Sequence, residues 1–394
     1  MISMQLKNKV ILVVSPQEWG KMFLSKHHYA ITLARQGNIV YFLNPPKQGR
    51  IGRPSTINIL PSSEKNLFLL QHTIGFPFIA KFHAISIFHW FMKLHIKRVL
   101  RKVNRPIDIV WSFDQLNLYP FRFFDKNSFK IFQPVDEPCN KAALAAADGC
   151  DIILSVTNEI LNKYKHVNKP SHLINHGIDA NFLSDAIDKE NKAIHVGFSG
   201  NLLRKDIDRE IFLQIVRENP SVVFECWGSY RMQHTNIGGT EDSESDIFIQ
   251  SLQKAGVILH GPVTSCELAR GLHRMDAFLI CYDVQKDPSK GTNYHKIMEY
   301  LATGKVIVAS NIITYKDDRE LVQMVVERDH NKELPALFKK VIQNLDLYNC
   351  PGLQQIRKDY ARSNTYSKQI EKIEGILQKR LWPATMVGEF LTNY

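Results

Sequence analysis

The sequence lacks the signatures that identify a protein fastest. It has no G-x-G-x-x-G and no Walker A motif, so a standard dinucleotide or P-loop reading has no support. Its cysteines (Cys139, Cys150, Cys226, Cys266, Cys281 and Cys350) are scattered, with no C-x-x-C and no metal-ligand spacing. Most lie in or beside apolar runs, which reads as buried free thiols in a reducing compartment and not as a disulfide framework. No run reaches the ~18 apolar residues of a membrane span. Val10–Val14 is too short for the apolar core of a signal peptide and reads as a first strand, so a cytoplasmic chain is expected. Internal repeats, low-complexity tracts and heptads are missing too. Acidic residues are scarce in one region. The first 105 residues hold 16 Lys and Arg against two acids, Glu18 and Glu64, and Lys81–Val103 holds no acid at all.

What is present is ordinary in bulk and uneven in distribution. A chain of 394 residues, 44% hydrophobic and 23% charged, fits a soluble protein of two domains. The formal net charge is +11. Residues 1–190 carry 24 Lys and Arg against 14 Asp and Glu, whereas the remainder carries 26 against 25. The first half should therefore face something anionic: a membrane surface, a phosphorylated substrate or nucleic acid.

Strand and helix patterns alternate along the chain. Val10–Val14, Ile39–Leu43, Ile107–Phe113, Phe129–Phe132 and Asp151–Val156 read as short buried strands, and His27–Arg35 reads as a helix stopped at Gly37. The pattern restarts near Ala193 with "AIHVGFSGN", a predicted helix over Asp206–Glu218, and the strands "VVFECWG", "VILHG", "AFLICY" and "VIVAS". This alternation argues for parallel sheets flanked by helices. The polar stretch 183–192 is a natural linker. The expected architecture is α/β: two Rossmann-like doubly wound halves over 1–185 and 193–365 facing a cleft. The predicted helical tail from Leu353 to Leu381 would pack back on the first half, with 366–394 as the returning helix and tail.

The stretch "GTNYHKIMEYLATGKVIVAS" (Gly291–Ser310) bears most on function. A small-residue turn leads into a short helix, with Thr292 or Asn293 as N-cap and Gly304 as its stop. A helix N-terminus offers orphan N–H groups and partial positive charge, an anion site, and in a doubly wound sheet it lies where ligands bind. Lys296 in the first turn can reach a phosphate. Glu299, three residues on, can accept the two hydroxyls of a ribose. Phosphate plus ribose suggests a nucleotide. The spacing alone equally allows an ordinary surface Lys–Glu pair.

The run "HKIMEYLATGKVIVAS" resembles the donor-site segment of GT-B glycosyltransferases, especially those similar to glycosyltransferase family four, which carry a K-x-x-E-Y/A-h-A-x-G-x-P-V-V pattern. Lys296, Glu299, Tyr300, Leu301, Ala302, Gly304 and Val308 fit it, and Val306 takes the usual Pro place. Further segments resemble the family in order: "WGKMFLSKHHYAITLARQGNIVYFLNPP", "ADGCDIILSVTNEILNKY", "HLINHGIDANFL", "VGFSGNLLRKDID", "ILHGPVTSCELARGLHRMDAFLI" and "SNTYSKQIEKIEGIL". The resemblance spans residues 10–380. It implies that Glu299 binds the ribose and that Lys296 and the N–H groups near Gly291, Thr292 and Asn293 hold the diphosphate. Arg204 and Lys205, after the Gly200 turn, would neutralise the leaving phosphates. Gly261 to Val263 would line the base. Many relatives have a second Glu eight residues before Glu299. Here that place is Gly291, as in subgroups with a P-x-K-x-x-E-Y-L-A-x-G type segment.

On the acceptor side, His27 and His28 open the first helix, where a His can touch the sugar or the acceptor hydroxyl, or pack on a strand. "WSFDQ" and "QPVDEP" follow strands and set Asp114, Asp136 and Glu137 at strand carboxyl ends. Asp136 is the candidate base, because its segment resembles a "vDe" motif of related transferases; turn chemistry before Pro138 is the alternative. In Lys81–Val103, Ile85, Phe88, Met92, Ile96, Val99 and Val103 fall at helical spacing beside a basic side. That side can be a solvated face or can lie on an anionic membrane, with Trp90 and Phe91 near the boundary.

The resulting expectation is a glycosyltransferase that moves a sugar from a UDP- or GDP-sugar to a glycan or lipid-linked acceptor in surface polysaccharide biosynthesis. It would need no metal and no cofactor beyond its donor, and would sit in the cytoplasm or peripherally on the inner membrane face. The rivals are a degenerate GT-B subunit that binds glycan or a partner, and a sugar-nucleotide epimerase of the same fold. Nucleic acid is disfavoured as a partner, because no binding motif accompanies the charge.

Overall fold

The computed structural model describes residues 6–20, 23–183, 193–231, 243–287 and 291–381. The expected linker lies beyond Leu183 outside the described residues, as does the tail past Leu381. Two compact units are present. One is Met1–Trp19 with Lys26–Asn175 and Tyr366–Tyr394; the other is Gly20–Ser25 with His176–Thr365.

The strands of the first unit are β1 (Val10–Val14), β2 (Ile39–Leu43), β3 (Lys47–Gln48), β4 (Ile57–Pro61) and β5 (Leu67–Ile74). They continue with β6 (Ile109–Ser112), β7 (Phe129–Phe132), β8 (Ile152–Ser155) and β9 (Ser171–Leu173). Their order is β3-β5-β2-β1-β6-β7-β8-β9, with β4 antiparallel on β5. The central strands are almost unbroken apolar runs, because helices cover both faces of a parallel sheet and every residue but Val10 and Ile39 at the strand starts is buried. The helices of this stretch are α1 (Ser25–Arg35), α2 (Ala80–His83), α3 (Ile85–Val103), α4 (Lys141–Ala145) and α5 (Asn158–Lys163). Phe88, Met92, Ile96, Val99 and Val103 form the buried stripe of α3, as their spacing predicts, but Ile85 is exposed.

The hairpin β4–β5 was not legible as strands. Its burial is only partial on both strands, so no clean alternation marks it, and the apolar run Leu67–Leu70 gives way to polar Gln71 and His72.

The second unit holds β10 (Ile194–Ser199), β11 (Val222–Trp227), β12 (Ile258–Gly261), β13 (Ala277–Ile280), β14 (Val306–Ala309) and β15 (Gln323–Met324). All pairs are parallel, in the order β12-β11-β10-β13-β14-β15. Its helices are α6 (Arg209–Glu218), α7 (Ser243–Lys254), α8 (Ser265–His273), α9 (Lys296–Thr303), α10 (Leu334–Gln343), α11 (Leu345–Tyr348) and α12 (Pro351–Arg362). Helix α6 starts after Asp208, whose carboxylate accepts from the Ile211 N–H, and not at Asp206. The strand order reverses between β10 and β13, the switch point where doubly wound sheets bind ligands.

The predicted tail helix over Leu353–Leu381 is two helices. The first, α12, stays on the second unit, where buried Arg357 donates to the Gly304 and Glu320 carbonyls at 3.0 and 2.9 Å. The second, α13 (Tyr366–Leu381), joins the first unit. Ile370, Ile373 and Leu377 bury there, and Glu374 accepts from the Leu6 N–H at 2.7 Å.

The thiols also differ from expectation. Cys150, Cys226 and Cys281 are buried, but Cys139 and Cys266 are exposed; all six are free. No helix among the described residues is long and apolar enough to cross a membrane.

Candidate functional site

At the carboxyl ends of β10, β11 and β12 stand three glycines in a row: Gly200, Gly228 and Gly261, with φ of +152°, +118° and +76°. The Gly200 N–H donates to the Trp227 carbonyl at 2.8 Å, and the Gly228 N–H to the Gly261 carbonyl at 2.9 Å. A Cβ on Gly228 would sit 2.1 Å from the Gly200 oxygen. A Cβ on Gly200 would sit 2.5 Å from Lys296 Nζ. Glycine is therefore required at Gly228 and Gly200, because the neighbouring main chain and the Lys296 amine occupy the space a side chain would take. Gly228 was not singled out from sequence, although it too ends an apolar strand. Val263, past Gly261, packs half-buried on the core.

Lys296 heads α9 and is half-buried, with Nζ donating to Tyr282 Oη at 2.7 Å and lying 4.3 Å from the Phe198 ring centre. It is thus no surface ion pair with Glu299. Burial pushes the Lys296 pKa down to about 7, and the Arg204 charge adds to this; Glu299 and Asp206 oppose it. Arg204 Nε donates to Asp206 Oδ1 at 2.8 Å, and its Nη2 lies 3.6 Å from Asp287 Oδ1. Burial opposes the Arg204 charge, but the hydrogen bonds and charges of these carboxylates hold its pKa above the ordinary value. Lys205 beside it is exposed.

The turn before α9 differs from expectation. Neither Thr292 nor Asn293 caps the helix; His295 holds the N-cap place without a side-chain bond. The turn is tied down elsewhere. The Gly291 N–H donates to buried Asp287 at 2.9 Å, and Tyr294 Oη donates to the same oxygen at 2.5 Å. The Gly291 and Thr292 carbonyls accept from the Ile313 and Thr314 N–H groups at 3.0 and 3.2 Å. The Gly291 N–H is therefore already used within the protein. Thr292 and Asn293 are both buried. Glu299 points along the same turn as His295, 3.4 Å from its Nδ1, with its side chain 13% exposed. Buried His176 meets His295 edge-on at 5.5 Å. Burial, then the His295 charge, lowers the His176 pKa to about 3, so it is neutral.

The first unit has its own polar cluster at strand ends. Asp114 lies just past β6 and is buried, accepting from the Leu116 and Leu118 N–H groups at 2.9 and 2.7 Å. Burial raises its pKa. Asp136 follows β7 and is exposed, its carbonyl accepting from Gln115 Nε2 at 2.6 Å. Between them lies Lys26 of α1, buried and donating to Gln17. Burial lowers its pKa to about 8 against the pull of Asp136 and Asp114. Sequence reasoning passed over Lys26 for its neighbours. His27 is a core residue: its ring stacks on Phe42 at 5.0 Å, meets Trp19 edge-on, and bonds the Glu18 carbonyl at 3.1 Å. His28 is buried as well, stacked on Tyr366 at 4.9 Å.

No protein-family model matches the sequence, and no curated protein matches it. Solved structures do. Sucrose-phosphate synthase from Thermosynechococcus elongatus superposes with a TM-score of 0.70 over 95% of this chain and 99% of that one, at 11% identity. An alpha,alpha-trehalose-phosphate synthase (UDP-forming) from Burkholderia xenovorans, in complex with glucose-6-phosphate, gives 0.64 over 94% and 100% at 12% identity. Anabaena HepE, in complex with UDP and glucose, gives 0.63 over 94% and 99% at 11% identity. Identities this low establish the fold alone. The chain has the GT-B fold: two doubly wound, mainly parallel units, with α13 joined to the first.

Proposed function

We propose that the protein is a glycosyltransferase whose second unit holds a nucleotide-sugar donor and whose first unit receives a glycan or lipid-linked acceptor. One observation carries this reading: Lys296, Arg204, Gly200, Gly228 and Glu299 gather at the switch point of the second sheet, where backbone, cation and carboxylate meet. The acceptor hydroxyl attacks the anomeric carbon, and the bond from that carbon to the diphosphate oxygen breaks. The charge that builds on the departing diphosphate is met by Lys296, a group fixed before the reaction begins. Arg204, tied to Asp206 and Asp287, holds the site's geometry and keeps Lys296 poised between charge states. Glu299 accepts from the ribose hydroxyls. Asp136, the exposed carboxylate of the Lys26 cluster, takes the acceptor proton. With these cations at hand, the proposed transfer runs without a metal.

UDP is the first nucleotide to try, since solved proteins of the same fold were captured with UDP and glucose or are described as UDP-forming. A ligand that binds only the folded state raises the melting temperature. Titration against UDP, GDP, CDP, ADP and their sugar conjugates should give stabilisation by one base. Glu299→Ala should lose about tenfold or more in nucleotide affinity, as for removing a charge-assisted hydrogen bond, with the unliganded melting temperature kept. Equal loss of both would sink the assigned role. No response to any nucleotide would move the reading to a non-catalytic GT-B subunit that binds glycan or a partner. Donor consumption without acceptor would favour an epimerase.

A further inference from the structure

The face of α3 that points away from the sheet changes character halfway along its length. Ile87, Trp90, Phe91 and Leu94 follow one another at helical spacing on that face, and all are exposed, Trp90 at 58%. Just before them, Ile79 and Phe82 of the α2 region stand out at 63% and 71%. Phe91 stacks on Phe76 at 5.1 Å and meets Trp90 edge-on at 4.9 Å, so these three rings form one cluster. The same spacing then runs on as Lys97, Arg98, Arg101 and Arg105, all exposed. Lys97, Arg101 and Arg105 line a shallow basin of about 490 Å³ together with Leu100, Asn104 and Pro106. Among the described residues none of these three cations has a carboxylate partner, and no acidic residue occurs between Glu64 and Asp108.

A water-exposed apolar cluster of this size calls for a cover. Its continuation into unpaired cations identifies that cover by charge complementarity. We propose that this face of α2 and α3 docks on an anionic lipid bilayer. Trp90, Phe91, Leu94 and Phe82 enter the boundary of the acyl chains, and the Lys97–Arg105 basin receives lipid phosphates. A nucleic acid would match the basic half but leave the aromatic half uncovered. The division along one helix sets α3 oblique to the membrane plane, with its N-terminal half lower. This deepens the lipid-linked half of the proposed function and is independent of the nucleotide site.

The test is sedimentation of the full chain with vesicles of phosphatidylcholine alone or mixed with phosphatidylglycerol. Binding should require phosphatidylglycerol. The double variant Lys97→Glu/Arg101→Glu should weaken it on the order of twentyfold, from the attraction of each cation to an anionic surface. Trp90→Gln/Leu94→Gln should leave low-salt binding but abolish what survives at high salt. These side chains are exposed, so both variants should keep the parent melting temperature. Absence of binding to anionic vesicles, or binding that neither variant alters, overturns the proposal. So does tighter binding to duplex or single-stranded nucleic acid than to vesicles, or a concentration-dependent dimer that Trp90→Gln/Leu94→Gln dissolves. Failure here with an intact nucleotide response would remove the membrane surface and leave the transferase reading standing.

Discussion

Lys296 is where the charge of the second unit is most finely set. Its ordinary pKa of 10.5 is lowered to about 7, by burial first and then by Arg204. Two opposite pH dependences follow. For the unliganded protein, the unfolded chain binds the proton more tightly between about 7 and 10.5, so this group adds stability as pH rises through that window. For a nucleoside diphosphate the protonated amine is the better partner, so affinity should fall as pH rises above about 7. Calorimetry in buffers of differing ionisation heat should report proton uptake on binding, and Lys296→Gln should remove it. Gly228 gives a second residue-scale expectation. Gly228→Ala forces a Cβ into the Gly200 carbonyl and should cost about 1–3 kcal/mol or more in urea unfolding. Gly256→Ala, also at positive φ but with open space around it, should cost about 1–2 kcal/mol. If the two cost the same, the close approach at Gly228 is not what requires glycine there.

Among elements, α13 is the one whose contribution is easiest to measure. It brings Ile370, Ile373 and Leu377 into the first unit from the far end of the chain. Ile373→Ala should destabilise that unit by about 2–5 kcal/mol, read as an earlier thermal transition with nucleotide binding retained. Legibility also varied by element. The central strands could be read because burial on both faces demands a local, unbroken apolar run. Thr292 and Asn293 misled as caps because the turn is held by Asp287, Ile313 and Thr314, contacts that no local pattern announces. Lys26 was missed for the same reason: its burial is a product of packing, and in the sequence it is one more lysine beside two histidines. The burial of His27 against Phe42 and Trp19 is likewise a product of packing that no local pattern announces.

The whole molecule should be acid-labile well above the range where carboxylates titrate. His72 and His95 are buried in contact, with Nε2 of His95 2.8 Å from Nδ1 of His72. Burial lowers their pKa values to about 4 and about 3, and that of His176 to about 3. The folded protein keeps all three neutral, whereas the unfolded chain takes up protons once pH falls below 6.5. Stability is therefore fully present above 6.5 and is lost progressively as pH drops towards 4 and then 3. Melting curves should shift down steadily from neutral pH to pH 5, and His95→Gln should shallow that slope. A flat profile over this interval would contradict buried neutral histidines.

The chain order of the first unit bears on how the protein is made. Its last core helix begins at Tyr366, whereas the strands it completes end by Leu173. On a ribosome those strands emerge long before their closing helix, at a pace of about 5–20 residues per second. For roughly ten seconds or longer the surface meant for Ile370, Ile373 and Leu377 stands open while the second unit is synthesised. The second unit, whose sequence is continuous apart from a short piece near residue 20, is free to finish folding first. The nascent first unit is then the natural client for chaperones, and slow synthesis beyond codon 300 should lengthen that exposure.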